Sequence, residues 1–149
     1  MKKHLFALCL LVLAGCQSTL PCPGLRPALV QKLENRGVSD AGTGKIILVG
    51  SEGGYGGDLQ VTITANFLIQ EIWDTIYQSR PHKRWAASGF RKLRFYEDDE
   101  SEVPVAELLV NATDRCHFDE DFDDSFRCPG INKILEPLLK SEYEKRKSR

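Results

Sequence analysis

Ile46-Ile47-Leu48-Val49 is followed by a glycine-rich stretch from Gly50 to Asp58 and then by Leu59-Gln60-Val61-Thr62-Ile63-Thr64. Four consecutive apolar residues bounded by glycine read as a buried strand. The strict alternation of Leu59, Val61 and Ile63 with Gln60, Thr62 and Thr64 reads as a strand with one wet face. Two such segments joined by a glycine loop predict a hairpin. Immediately downstream, Leu68-Ile69, Ile72-Trp73 and Ile76-Tyr77 recur every four residues. That spacing predicts a helix over 65–79 with a broad apolar stripe. Pro81 ends it, because the residue before proline is pushed out of the α region.

The pattern continues in both directions. Upstream, Pro27 suits a helix start and Gly37 a helix end, with Leu29, Val30 and Leu33 on one face. Downstream, Leu93 and Phe95 alternate with Lys92, Arg94 and Tyr96, predicting a third strand. Val105 to Val110 predicts a fourth, although Ala106-Glu107-Leu108-Leu109 would tolerate a helix, with the acidic segment 97–102 as the turn between them. Ile131, Ile134, Leu135, Leu138 and Leu139 have helical spacing, interrupted by Pro137, where a kink or a fresh start is expected. The predicted order is helix, two strands, helix, two strands, helix. This is a small α+β domain with a mainly antiparallel sheet and helices packed on it.

The chain has 149 residues, 42% hydrophobic and 28% charged, with 20 basic and 21 acidic side chains. Collagen-like, low-complexity and wholly disordered classes are excluded by that balance. No apolar run reaches the roughly 18–20 residues of a permanent membrane span. A near-neutral charge also argues against a nucleic-acid partner, whose domain would be clearly basic.

Lys2 and Lys3 form a positive start, Leu5 to Ala14 an apolar segment, and Leu13-Ala14-Gly15-Cys16 follow. A charged start, a short apolar stretch and small residues before a cleavage point define a secretory signal peptide. The last four residues resemble the lipobox of bacterial lipoproteins, which signal peptidase II cuts just before the cysteine. The resemblance implies that Cys16 becomes the mature N-terminus, carrying a diacylglycerol thioether and an N-acyl chain. In Gram-negative members an aspartate after the lipidated cysteine retains the protein in the inner membrane. Gln17 stands there in this sequence, which implies a periplasm-facing anchor in the outer membrane. The expected organisation is a signal peptide over 1–15, a lipidated tether over 16–24, a domain over 25–140 and a charged, fraying tail over 141–149.

After that cleavage Cys22, Cys116 and Cys128 remain, and an oxidising compartment favours one bridge and one leftover thiol. Cys116 with Cys128 closes a short loop worth about 3 kcal/mol in the chain-entropy model. Cys22 with either of the others is the alternative. A short echo, Cys22-Pro23-Gly24-Leu25 and Cys128-Pro129-Gly130-Ile131, would place Cys22 beside Cys128 in that alternative, but four residues make a weak repeat and Pro-Gly turns are common.

Three candidate sites are legible. Arg80, Lys83, Arg84, Arg91, Lys92 and Arg94 form an acid-free basic segment bracketing Trp85 and Phe90. Arg80, Lys83, Arg84, Trp85, Lys92 and Arg94 make a candidate surface for an anionic polymer or phosphorylated head groups. Asp119, Asp121 and Asp123 alternate and are weak calcium candidates. The glycine of the EF-hand is missing, however, and Gly130 stands where its closing Glu should be. The glycine loop Gly50 to Gly57 lacks both the P-loop and the dinucleotide-binding order, so no cofactor is expected. His82 and His117 have no zinc or triad spacing. These features point to a non-enzymatic accessory or binding module, anchored to a membrane through Cys16 and partnered with an envelope protein complex. The strand–strand–helix–strand–strand order is loosely similar to the pilotin lipoproteins that escort secretins. The alternatives are an inhibitor, immunity or exclusion lipoprotein acting on an incoming hydrolase or phage, and a metal-dependent enzyme centred on His117, Asp119 and Asp121.

Overall fold

The computed structural model describes residues 26–50, 59–83, 90–119 and 124–149. Among these, three helices and seven strands follow the order α1 (Ala28–Glu34), β1 (Lys45–Val49), β2 (Gln60–Ile63), α2 (Asn66–Tyr77), β3 (Arg80–His82), β4 (Phe90–Tyr96), β5 (Ala106–Asn111), β6 (Arg115–His117), β7 (Ser125–Arg127) and α3 (Ile131–Lys147). The strands form one sheet in the order β2-β1-β4-β5-β6-β7-β3, antiparallel at every described pairing. The predicted α+β class and the four predicted strands are present. Three short strands, β3, β6 and β7, are added to them.

Register explains which residues go inside. Ile46 and Leu48 lie opposite Phe95 and Leu93, which lie opposite Ala106 and Leu108. Val110 faces Cys116, and Cys116 faces Phe126. All are buried on one face, where Leu29, Val30 and Leu33 of α1, Ile69, Ile72, Trp73 and Ile76 of α2, and Ile131, Leu135 and Leu139 of α3 complete one core. The opposite face carries Lys45, Lys92, Arg94, Glu107, His117 and Arg127 by the period-2 rule.

Among the described residues Trp73 is the largest wholly buried side chain. Its ring lies 6.0 Å from Phe95 and 5.9 Å from Tyr77. Its indole N–H donates to Thr43 Oγ1 at 3.3 Å, satisfying the polar end of an otherwise apolar residue. Tyr77 in turn donates its hydroxyl to Asp40 at 3.0 Å. The polar connection before β1 is therefore pinned to α2. Gly44 closes that connection, and any Cβ there would lie 2.6 Å from Asp98 Cα and 2.7 Å from the Glu97 carbonyl oxygen.

Three sequence expectations need correction. Pro81 does follow α2, but Arg80, Pro81 and His82 form β3, paired with β7. Its extended preference and missing N–H suit an edge strand. Pro137 neither ends nor restarts α3, which runs unbroken past it. The carbonyl left without a helical donor belongs to Lys133, and both residues are exposed, so the position is open to solvent. The tail expected to fray from 141 onward is helical to Lys147. Tyr143 packs against the core, and Lys145, Arg146 and Lys147 sit favourably at the negative end of the helix dipole.

The start of α3 is held from outside the helix. Asp114 occupies the left-handed region at φ 59 in the β5–β6 turn, a conformation aspartate tolerates better than most residues. Its carboxylate accepts from the backbone N–H of Gly130 and of Asn132, both at 3.0 Å, and from Asn132 Nδ2 at 2.8 Å. Asn132 Nδ2 also donates to the Asn111 carbonyl at 2.7 Å. Burial pushes the Asp114 carboxyl up, but these donors and the nearby Arg127 charge outweigh it and hold it below its ordinary value. Asp114→Ala should cost about 1–2 kcal/mol, as for a lost helix cap, read as a lower urea midpoint. A carboxyl with a depressed folded value stabilises fully above the unfolded value and loses that stabilisation as pH falls through the folded one. In Asp114→Asn the acid limb of stability below the ordinary 3.8 should therefore flatten. Gly44→Ala should cost about 1–3 kcal/mol through forced backbone displacement, measured in the same denaturation series.

Candidate functional site

β3 is an edge strand whose proline cannot donate, and α1 packs beside it. Between them lies a cleft of about 290 Å³. Ala28, Pro81 and Phe126 supply apolar lining, while Lys32, His82, Lys83 and Asp124 supply the polar groups. Lys32 Nζ reaches Asp124 Oδ2 at 2.6 Å, joining α1 to the segment leading into β7. Ser125 Oγ donates to the His82 carbonyl at 2.5 Å and ties β7 to β3. An apolar slot with both signs of charge around it suits a polypeptide side chain better than a small charged metabolite.

Cations gather beside this cleft on the face away from the helices. Arg80 lies directly opposite Arg127, and Arg127 opposite Arg115. Like charges in facing register repel, so neighbouring acids are needed; Asp114 is one, and Arg80 and Arg115 have further interactions of their own.

The basic patch expected from sequence is not one surface. Arg80 and Lys83 stand at the β3 edge, while Lys92 and Arg94 stand on β4, four strands away. At about 4.8 Å per strand that separation is roughly 19 Å. Lys92 and Arg94 are both occupied by Glu107, at 3.0 and 2.7 Å. Burial raises the Glu107 carboxyl, but the bonds from Arg94 and Lys92 outweigh it and hold it low. The bond to Glu107 raises Arg94. Arg91, the fourth cation of the run, turns to the other face and binds Asn132 and Glu136 of α3. Arg84 and Trp85 lie outside the described residues.

Of the acidic candidates, Asp119 is exposed, and Asp121 and Asp123 lie outside the described residues, as do Cys16 and Cys22. Among the described residues no three His, Cys, Asp or Glu side chains converge as metal ligands would. His117 is wholly buried, stacked edge-on to Phe90 at 5.7 Å. Its Nδ1 donates to the Phe118 carbonyl at 2.8 Å, since the carbonyl can only accept.

Cys116 and Cys128 are both wholly buried, with their sulfurs 2.9 Å apart as two thiols. That separation is longer than the roughly 2.05 Å of a disulfide. The two residues are diagonal neighbours on the core face beside the β6–β7 ladder, where Cys128 N–H donates to the Asp114 backbone carbonyl at 2.7 Å. Burial, reinforced by the bond to Cys128, pushes the Cys116 thiol well up.

The cleft itself was missed in the sequence, as were Lys32, His82 and Asp124 lining it. The local signal was a proline inside a basic run, which marks an edge strand as readily as a loop. No protein-family model, curated protein or solved structure matches this chain. Because the thiolate is the reactive form, Cys116 and Cys128 of the reduced native protein should resist iodoacetamide. Both should label in denaturant, as read by cysteine-resolved mass spectrometry.

Proposed function

We propose that this chain is a lipid-anchored envelope lipoprotein, a non-enzymatic module that binds an envelope protein partner beside α1 and β3. The observation that carries the reading is Leu13-Ala14-Gly15-Cys16 at the end of a ten-residue apolar segment preceded by Lys2 and Lys3. Each buried acyl CH₂ contributes about 0.8 kcal/mol, and more than one chain makes attachment firm without a spanning helix. No helix among the described residues is long and apolar enough to cross a membrane. Cys16 precedes Ala28, the first residue of α1, by twelve positions. At about 3.3–3.6 Å per residue, the α1–β3 cleft stands no more than roughly 40 Å from the anchored atom. A partner resident in or on the same membrane is therefore within reach. Gln17 directs the anchor to the outer membrane on the lipoprotein resemblance.

The same compartment would convert Cys116 and Cys128 into a bridge. Each thiol loses a proton, and the pair passes two electrons to a disulfide of the compartment's oxidants, which is reduced to a dithiol. The bridge would add about 3 kcal/mol by constraining the unfolded chain.

Cys16→Ser removes the sulfur that accepts diacylglycerol. The precursor should then accumulate uncleaved, held only by its apolar segment, while the wild-type N-terminal peptide should start at Cys16 with the mass of added lipid. An unmodified thiol at Cys16 in the wild type would sink the anchor. For the partner, a photocrosslinking residue replacing Lys83 should yield a discrete adduct with one envelope protein, and one replacing Glu144 on α3 should not. Equal labelling from both positions would remove the cleft as the binding site.

A further inference from the structure

The two edges of the sheet are treated differently. β3 carries Pro81, Arg80 and His82, with Lys83 just beyond, and is flanked by α1. Charges and proline are the usual means by which an edge is kept from pairing with another chain. β2 has neither. From Leu59 to Gln70 there is no charged residue and no proline, and α3 packs against this strand.

Register decides where the backbone of β2 points. Gly50 N–H donates to the Leu59 carbonyl at 2.8 Å, and the same pairing continues through Val49↔Gln60, Leu48↔Val61, Ile47↔Thr62 and Ile46↔Ile63. Hydrogen-bonded and non-bonded pairs alternate along an antiparallel ladder. Leu59, Val61 and Ile63 therefore bond to β1, and Gln60 and Thr62 turn their N–H and C=O outward. Both residues are exposed, as is Thr64, next in the alternation. At the same margin Phe67, in the first turn of α2, is 67% exposed, a large apolar ring offered to solvent.

We propose that β2 pairs with β2 of a second copy of this chain, antiparallel about a twofold axis at Thr62. The strand reads alike in both directions: Gln60, Thr62 and Thr64 are polar, and Val61 and Ile63 are apolar. A twofold at Thr62 places Thr62 against Thr62, Gln60 against Thr64 and Val61 against Ile63. The outward backbone groups meet one another, each pair matches in polarity, and no like charges oppose. Threonine facing threonine is a favourable cross-strand pair. The two sheets become one continuous sheet, with the helices of both copies on the same side. A second copy fits better than an unrelated strand because the complementarity is already present within β2. α1, beside β3, lies at the far edge, six strand spacings or roughly 29 Å across the sheet. The inference is independent of the lipid anchor.

The test is a register-specific crosslink in the purified full chain, oxidised in detergent with diamide. Facing hydrogen-bonded residues have Cα atoms about 5.5 Å apart, inside the range a disulfide bridges. Thr62→Cys should give a reducible dimer whose linked peptides both contain position 62. Gln60→Cys alone and Thr64→Cys alone should not, while the double variant Gln60→Cys/Thr64→Cys should. Thr62→Pro removes only an outward N–H, so it should leave the thermal unfolding of the monomer nearly unchanged and lower the sedimenting mass from dimer to monomer. A monomeric wild type by sedimentation, equal crosslinking from positions 60, 62 and 64, or a Thr62→Cys adduct to a different protein would each overturn the proposal.

Discussion

Ile46 opposite Phe95 and Leu48 opposite Leu93 join β1 to β4, two segments separated in the chain by β2, α2 and β3. Every other described pairing except β3 with β7 is between neighbours in sequence: the β1–β2 hairpin and the meander from β4 through β7. A non-local pairing must meet its loop-closure entropy before its contacts reward it. Here the reward is the central apolar stripe of the sheet, on which Trp73 and the faces of all three helices converge. Once β4 lies beside β1, one side of β1 is closed to the rest of the chain. The meander can then grow only away from it. β3 then caps the far edge by pairing with β7.

That geometry creates the α1–β3 cleft. α2 carries the chain from the β2 margin to the β3 margin, and α1 packs on both α2 and β3. The cleft is thus bounded by elements from three separate parts of the chain: α1, β3 and the approach to β7. Its charges are shared between them, with Lys32 bonded across to Asp124. The far end of the meander is locked by Asp114 and Asn132, which hold the start of α3, and by Arg91, which reaches the same helix through Asn132 and Glu136. These partly buried polar contacts fix where α3 begins and how it lies on the sheet.

Charge pairing also explains why a run of cations in the sequence does not become a cationic surface. Adjacent residues on a strand face opposite sides of the sheet. Arg91 turns to the helices, and Lys92 and Arg94 turn away toward Glu107 on the next strand. Between Lys83 and Phe90 the chain passes from the edge of the sheet to its centre. Two halves of one basic segment therefore serve two unrelated places.

The periodicities of residues 46–49, 59–64, 68–77 and 131–139 were enough to determine the α+β class, the β1–β2 hairpin, α2 and the core stripe of α3, because each of these depends on repeats within a dozen residues. Leu93, Phe95 and the 106–110 run likewise declared β4 and β5. Three-residue strands such as β3, β6 and β7 are shorter than any period that could reveal them, and only their neighbours in the sheet make them strands. A fresh start at Pro137 and a fraying tail were overridden for a related reason: a helix already packed through Leu135, Leu139 and Tyr143 continues past a local penalty of about 3 kcal/mol. Cys116 and Cys128 were paired from loop length alone, and the ladder between β6 and β7 then set their sulfurs 2.9 Å apart. The cleft, the division of the basic run and the outward backbone of Gln60 and Thr62 depend on which strands become neighbours. That was decided by long-range burial, which local sequence does not encode.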